Sequence, residues 1–128
     1  MNKIGLQNRT KAFHIAIIKF CEQLPKNIAM CEIARQLIRA AGSVGANCRA
    51  ISRAKSADYF IHKVSIVIEE ADESHYWLEI LKELNFIQNV KVVDRLIQEA
   101  NELIAIFVAI SKTSKIHKEN HKLQFQKS

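Results

Sequence analysis

The sequence has few turn-formers, with three glycines and one proline in 128 residues. A β-sandwich or barrel needs turn signals about every 8–12 residues, so an all-β fold is excluded. Long uncharged apolar runs are also missing, and a membrane-spanning helix needs about 20 such residues. The start, Met1 to Leu6, lacks the apolar stretch of a signal peptide. The chain is therefore expected to be cytoplasmic. Acids are in deficit, with 13 Asp and Glu against 19 Lys and Arg, a net charge of +6. Such a balance bears on partners and leaves the fold open. Apolar residues make up 48% of the chain, too many for a disordered one. One helical domain remains.

Catalytic patterns are missing too. A di-iron bundle needs two Glu-x-x-His motifs with two further carboxylates, and Asp72-x-x-His75 is a single imperfect copy. His117 and His121 stand one turn apart but supply only two of the ligands a zinc site requires. No nucleophile elbow or phosphate-cradling glycine loop is present. Gly42-Ser43-Val44-Gly45 has the GxxG form of a nucleic-acid-binding loop but lies inside a helical pattern. Cys21, Cys31 and Cys48 form no CxxC pair and read as buried, reduced thiols acting as small hydrophobes, with redox or metal use as the alternative. No catalytic residue, metal ligand or cofactor is assigned, and a non-enzymatic protein is expected.

Apolar spacing predicts four helices. The first runs from about Asn8 to Gln23, capped by Asn8 or Thr10, with Phe13, Ala16, Ile17, Phe20 and Leu24 on one face and Pro25 enforcing its end. The second spans Ile28 to Lys55. Ala34, Ala41 and Cys48 hold one heptad position and Leu37, Val44 and Ile51 the other, a narrow seam. The third, Ala57 to Leu84, carries Phe60, Val64, Val67, Ala71, Ser74, Leu78 and Leu81 on one stripe. Asn85 to Asn89 connect it to a fourth that starts at Val90 and ends near Ser111. Short connections make neighbours antiparallel, so the expected fold is all-α, an antiparallel up-down-up-down four-helix bundle over residues 1–111. Residues 112–128 lose apolar periodicity and read as a basic tail, either a frayed helical extension or disordered.

Charge is segregated. The third segment, residues 57–86, holds seven acids and two bases, whereas residues 1–27, 28–56 and 112–128 each hold five bases and one acid. On the second helix Arg35, Arg39, Arg49 and Arg53 lie within about 40° of Arg35's direction, with Gly42 and Ala46 between them. Aligned guanidinium groups match phosphate in bidentate fashion. Three readings stay open: phosphate contact by these arginines and Lys55, ion pairs with Glu69, Glu70, Glu73 or Glu79 within or between subunits, and a solvated face. Lys112, Lys115, Lys118, Lys122 and Lys127 add sequence-independent phosphate attraction. Tyr76 and Trp77 read as core or subunit-interface anchors, with base stacking as the alternative. The run Ala40-Ala41-Gly42-Ser43 with Gly45 and Ala46 places small residues mid-helix, where each glycine costs up to about 1 kcal/mol against alanine. Close approach of another helix is the natural compensation. Asn47, one turn beyond Ser43, is expected to hydrogen-bond at that packed face.

Several of these residues also form motifs: Ser43-x-Gly45-Ala46-Asn47, Ala54-Lys55-Ser56, Phe60-x-x-Lys63 and Glu70-Ala71-x-Glu73-x-x-Tyr76-Trp77-Leu78. In these the chain resembles the 23S rRNA-intervening-sequence protein family over roughly residues 9–104, and more distantly the accessory proteins of diversity-generating retroelements. The resemblance implies a four-helix bundle that forms a ring-like homo-oligomer, typically a pentamer, with a basic surface. It implies RNA or DNA and a reverse transcriptase as partners by analogy, and no enzymatic activity. Ser43, Gly45, Asn47, Tyr76 and Trp77 are the helix-packing or subunit-interface candidates. The chain departs from the family pattern at Ala50-Ile51, at Tyr59, where relatives carry an acid, and at Glu69, where a lysine is common. The resulting expectation is a nucleic-acid-binding bundle, or else an interaction adaptor whose basic stripe serves assembly.

Overall fold

A computed structural model describes residues 2–85, 88 and 90–127, with side chains from 125 onward left aside. Four helices follow one another: α1 (Lys3–Glu22), α2 (Ile28–Ile51), α3 (Ala57–Leu84) and α4 (Val90–Lys127). No strand occurs among the described residues. Packing joins α1 to α2, α2 to α3 and α3 to α4, with a sparser contact closing α1 on α4. This is the antiparallel four-helix bundle expected from short connections.

The ends of the helices show which local forces dominate. α1 starts five residues earlier than expected. Asn2 caps it, its side-chain oxygen accepting from Gly5 N at 2.7 Å. Thr10 is not a cap: it is buried in mid-helix, its hydroxyl donating to Leu6 O at 2.9 Å. α2 stops at Ile51, four residues short of Lys55. The positions that would extend its seam are Lys55 and Asp58, which bring no apolar group. Ser56 instead caps α3, accepting from Tyr59 N at 3.1 Å. α3 has the expected bounds, and it ends with Asn85 in the left-handed conformation, φ 60°. The rest of the expected connection falls largely outside the described residues. α4 does not end near Ser111 but continues to Lys127. At 1.5 Å per residue its 38 residues span about 57 Å, against about 30 Å for the 20 of α1.

Inside, Leu37, Ala41, Val44 and Cys48 of α2 are buried with Val64, Val67, Ala71 and Leu78 of α3, joined by Ile17 and Phe13 of α1 and Val93, Leu103 and Phe107 of α4. A fully buried Leu or Val contributes about 1.5–3 kcal/mol. Two of the cysteines behave as small hydrophobes. Burial pushes the Cys21 thiol up to about 11 and raises that of Cys48 as well. Cys31 is exposed, contrary to the expectation of three buried thiols, because it lies on the solvent side of the first turn of α2.

The mid-helix glycines lie against α1. A Cβ at Gly42 would meet His14 Nε2 at 3.0 Å, and one at Gly45 would meet the Thr10 carbonyl oxygen at 3.7 Å. On its other side, α1 touches α4 only sparsely. A cleft of about 960 Å³ opens there, lined by Phe13, Phe20, Leu24, Val92 and Leu96 with Lys19 and Arg95 at its sides. At Gly45 there is room for a methyl group and little more. Gly45→Ala should stabilise the bundle by about 0.5–1 kcal/mol through helix propensity, while Gly45→Leu, whose branch meets the α1 backbone, should destabilise it. Urea unfolding followed by circular dichroism separates the two. A Gly45→Ala protein weaker than the parent would show that α1 needs the bare glycine.

Candidate nucleic-acid interface

The four arginines of the second helical segment do not share one environment. Arg35 turns back on its own helix, its Nη2 2.8 Å from Glu32 Oε1. Arg39 reaches α3: Nη2 donates to both Glu73 oxygens at 2.8 and 2.9 Å, and Nη1 lies 3.6 Å from Glu70 Oε2. Arg39 thus meets two of the helix-three acids named in the ion-pair reading, within a single chain, whereas Arg35 pairs with an acid of its own helix instead. Arg49 is exposed in the last turn of α2 and has no ion-pair partner among the described residues. Arg53 and Lys55 lie beyond the end of α2, in the connection to α3, so the aligned stripe is broken. The break follows from the loss of apolar seam positions after Ile51. Arg53 N and Ala54 N instead donate to Ala50 O and Ile51 O, at 3.0 and 3.1 Å, closing the last turn.

Alternation of direction brings the start of α1, the end of α2, the start of α3 and the far part of α4 to one end of the bundle. Parts of the three basic segments of the sequence therefore meet in space, the start of the first, the end of the second and the third. Arg49, Arg53 and Lys55 stand there with Lys3 and Lys11 of α1 and Lys112, Lys115 and Lys122 of α4, all without an ion-pair partner among the described residues. Lys118 bonds Asp58, which neutralises the acid at the first turn of α3. Arg9 is committed as well: its guanidinium binds Glu99 at 2.6 Å and Glu102 at 3.1 Å, and the Glu99 hydrogen bond raises its pKa further. Lys127 lies outside the described side chains. Seen from the sequence, the cations form separate runs. Only the topology shows that they converge.

The acids collect toward the other end. Lys82 pairs with Asp94 at 2.7 Å, and His75 Nδ1 lies 2.5 Å from Glu79 Oε1. His75 is thus engaged with Glu79, one turn on, and not with Asp72. No group of three or more His, Cys, Asp or Glu side chains that could hold a metal ion occurs among the described residues.

The packing candidates fall in two places. The Asn47 amide donates to Ser43 O and Ser43 Oγ, each at 2.9 Å, while its carbonyl oxygen accepts from Lys63 Nζ of α3 at 3.3 Å. Ser43 and Asn47 thereby tie α2 to α3, and Gly45 faces α1. Trp77 is half-buried against the core and donates to Glu73 Oε1 at 3.4 Å. Tyr76 stands edge-on to it, ring centres 5.1 Å apart, and is 54% exposed among Asp72, Glu73 and Glu79. An aromatic ring set among carboxylates is poorly placed for a polyanion. Sequence spacing overlooked Tyr59, 44% exposed at the basic end, with Lys63 Nζ 5.5 Å from its ring centre. The signal was its position in the first turn of the third helix, off the apolar stripe and just after Lys55.

Glu70 is the odd member of the Arg39 cluster. Its Oε2 is buried and accepts no hydrogen bond. Burial, then repulsion from Glu73, raises its pKa, and Arg39 only partly offsets them. The folded protein thus binds this proton more tightly than the unfolded chain, so Glu70's contribution to stability is fullest below the ordinary carboxylate range and falls as pH rises through its raised value. Glu70→Gln should gain in Tm relative to the parent as pH increases from 4 to 7. A difference that stays constant or shrinks over that interval, measured by calorimetry, would contradict this assignment.

The family model described as 23S rRNA-intervening sequence protein matches residues 3–109. A solved structure from Bacteroides thetaiotaomicron, described as a protein with unknown function from the S23 ribosomal protein family, superposes with a TM-score of 0.74 at 24% identity, covering 84% of this chain and 98% of that one. At that identity the likeness speaks for the fold. No curated protein matches the sequence. No described helix is long and apolar enough to cross a membrane.

Proposed function

Because the chain belongs to the 23S rRNA-intervening sequence protein family, we propose that it is a non-enzymatic, homo-oligomeric bundle that binds nucleic acid at its basic end. The observation that carries this reading is the convergence of Arg49, Arg53 and Lys55 with lysines of α1 and α4, a group of unpaired cations that far outnumbers the acid left unpaired beside them among the described residues, Glu119 of α4. Confining like charge raises the local potential, and a polyanion lowers it by releasing its condensed counterions. RNA is the favoured class, in keeping with the family's description. Arg35 and Arg39, though part of the same sequence stripe, are spent on Glu32 and on Glu70 and Glu73. They should contribute little.

Tyr76 favours a second element of the reading, self-assembly through α3, since its large ring is exposed beside Trp77 with no cover in the single chain. In an adaptor of that kind the remaining basic residues would serve subunit contacts.

Both readings are tested by Arg49→Glu and Arg53→Glu. Filter binding to structured RNA across a salt series should show strong salt dependence for the parent. Each substitution should weaken binding and reduce the slope by about one or slightly more, with Arg35→Glu a weaker effect. Light scattering of the same proteins should show unchanged mass. Salt-insensitive or absent binding by the parent overturns the nucleic-acid reading, and loss of oligomer mass in Arg49→Glu transfers the basic end to assembly.

A further inference from the structure

Of the exposed aromatic side chains described, Tyr76 is surrounded by acids, whereas Tyr59 stands at the basic end. Its ring lies off the buried stripe of α3, which runs through Val64, Val67 and Ala71. Packing therefore covers the ring only in part, leaving it 44% exposed. Its sequence neighbour Asp58 is neutralised by Lys118. Arg53 and Lys55 precede the ring by six and four residues, in the connection that leads into this turn.

The ring is also held by its surroundings. Lys63 sits one turn along α3 with its ammonium 5.5 Å from the ring centre, a cation–π distance. That ammonium is anchored from the other side by the Asn47 carbonyl oxygen at 3.3 Å, and Asn47 is itself fixed by two hydrogen bonds to Ser43. A chain of contacts from the interior of α2 thus limits where Lys63, and through it Tyr59, can go. A flat ring held at the surface, with unpaired Arg53 and Lys55 in the connection just before it, suits a strand whose bases are unstacked: a base lies on the ring while the adjoining phosphates meet the cations. A duplex keeps its bases stacked inside and offers such a ring nothing to stack on.

Resting on the reading of the basic end as a nucleic-acid interface, we propose that Tyr59 is a stacking platform for an unpaired base, so that single-stranded or looped nucleic acid is the class bound. Fluorescence anisotropy with a labelled unstructured RNA 12-mer and a duplex of the same length, over a potassium chloride series, tests it. The parent should prefer the single strand. Tyr59→Ala should weaken single-strand binding about tenfold, leaving its salt slope and duplex binding unchanged, and Tyr59→Phe should retain parental affinity. Equal losses on both substrates, or no loss in Tyr59→Ala while Arg53→Glu still weakens binding, overturn the stacking role and leave the basic-end reading standing. Failure of the parent to bind either RNA overturns that reading and this one with it.

Discussion

Burial between α2 and α3 is the constraint on which the other features rest. Leu37, Ala41, Val44 and Cys48 meet Val64, Val67, Ala71 and Leu78 in a seam whose buried polar member on α3, Ser74, is satisfied within its own helix by the Glu70 carbonyl oxygen. Alanines and a cysteine among these residues keep the two axes close. Closeness sets what side chains flanking the seam can reach: Arg39 spans it to Glu70 and Glu73 near the middle of the bundle, and Lys63 spans it to Asn47 nearer the basic end. Hydrophobic packing supplies the stability, and these polar clasps fix register, since a shift of one residue along either helix would separate both sets of partners. On its other face, α2 receives α1 at Gly42 and Gly45.

Much of this was legible in the sequence because burial leaves a period. The α3 stripe from Val64 to Leu81 is unbroken, and the bounds of that helix match the structure at both ends. Where burial ceases, the period stops carrying information about helicity. Past Ser111, α4 has fewer neighbours to bury against, so its residues become polar while the backbone continues in the same conformation to Lys127. The opposite error arose at the end of α2, which was expected to run on to Lys55. Ser56, starting the next helix, and the lack of apolar seam residues after Ile51 terminate it. At the start of α1, Asn2 serves as cap in place of the two polar residues nearer the apolar face.

The site was legible in its charges and illegible in their partners. Arg39 and Arg49 are ten residues apart on one helix and chemically identical, yet one is paired with two carboxylates of α3 and the other is free among the described residues. The difference lies in which part of α3 each one passes: the acids are concentrated from Glu69 onward, and α3 opposite Arg49 carries Lys63 and Tyr59. Antiparallel packing of a helix that changes composition along its length sorts equal residues into different roles. A linear stripe cannot show that.

The same sorting leaves cations at one end of an elongated body and carboxylates toward the other. Such a body has a permanent electric dipole along its long axis in addition to its net charge. In the field of a polyanion it experiences a torque before any surface touches, over a range set by the Debye length of about 8 Å at physiological ionic strength. Orientation is therefore chosen during approach, and the part of the surface that must find its partner by random rotation is correspondingly small.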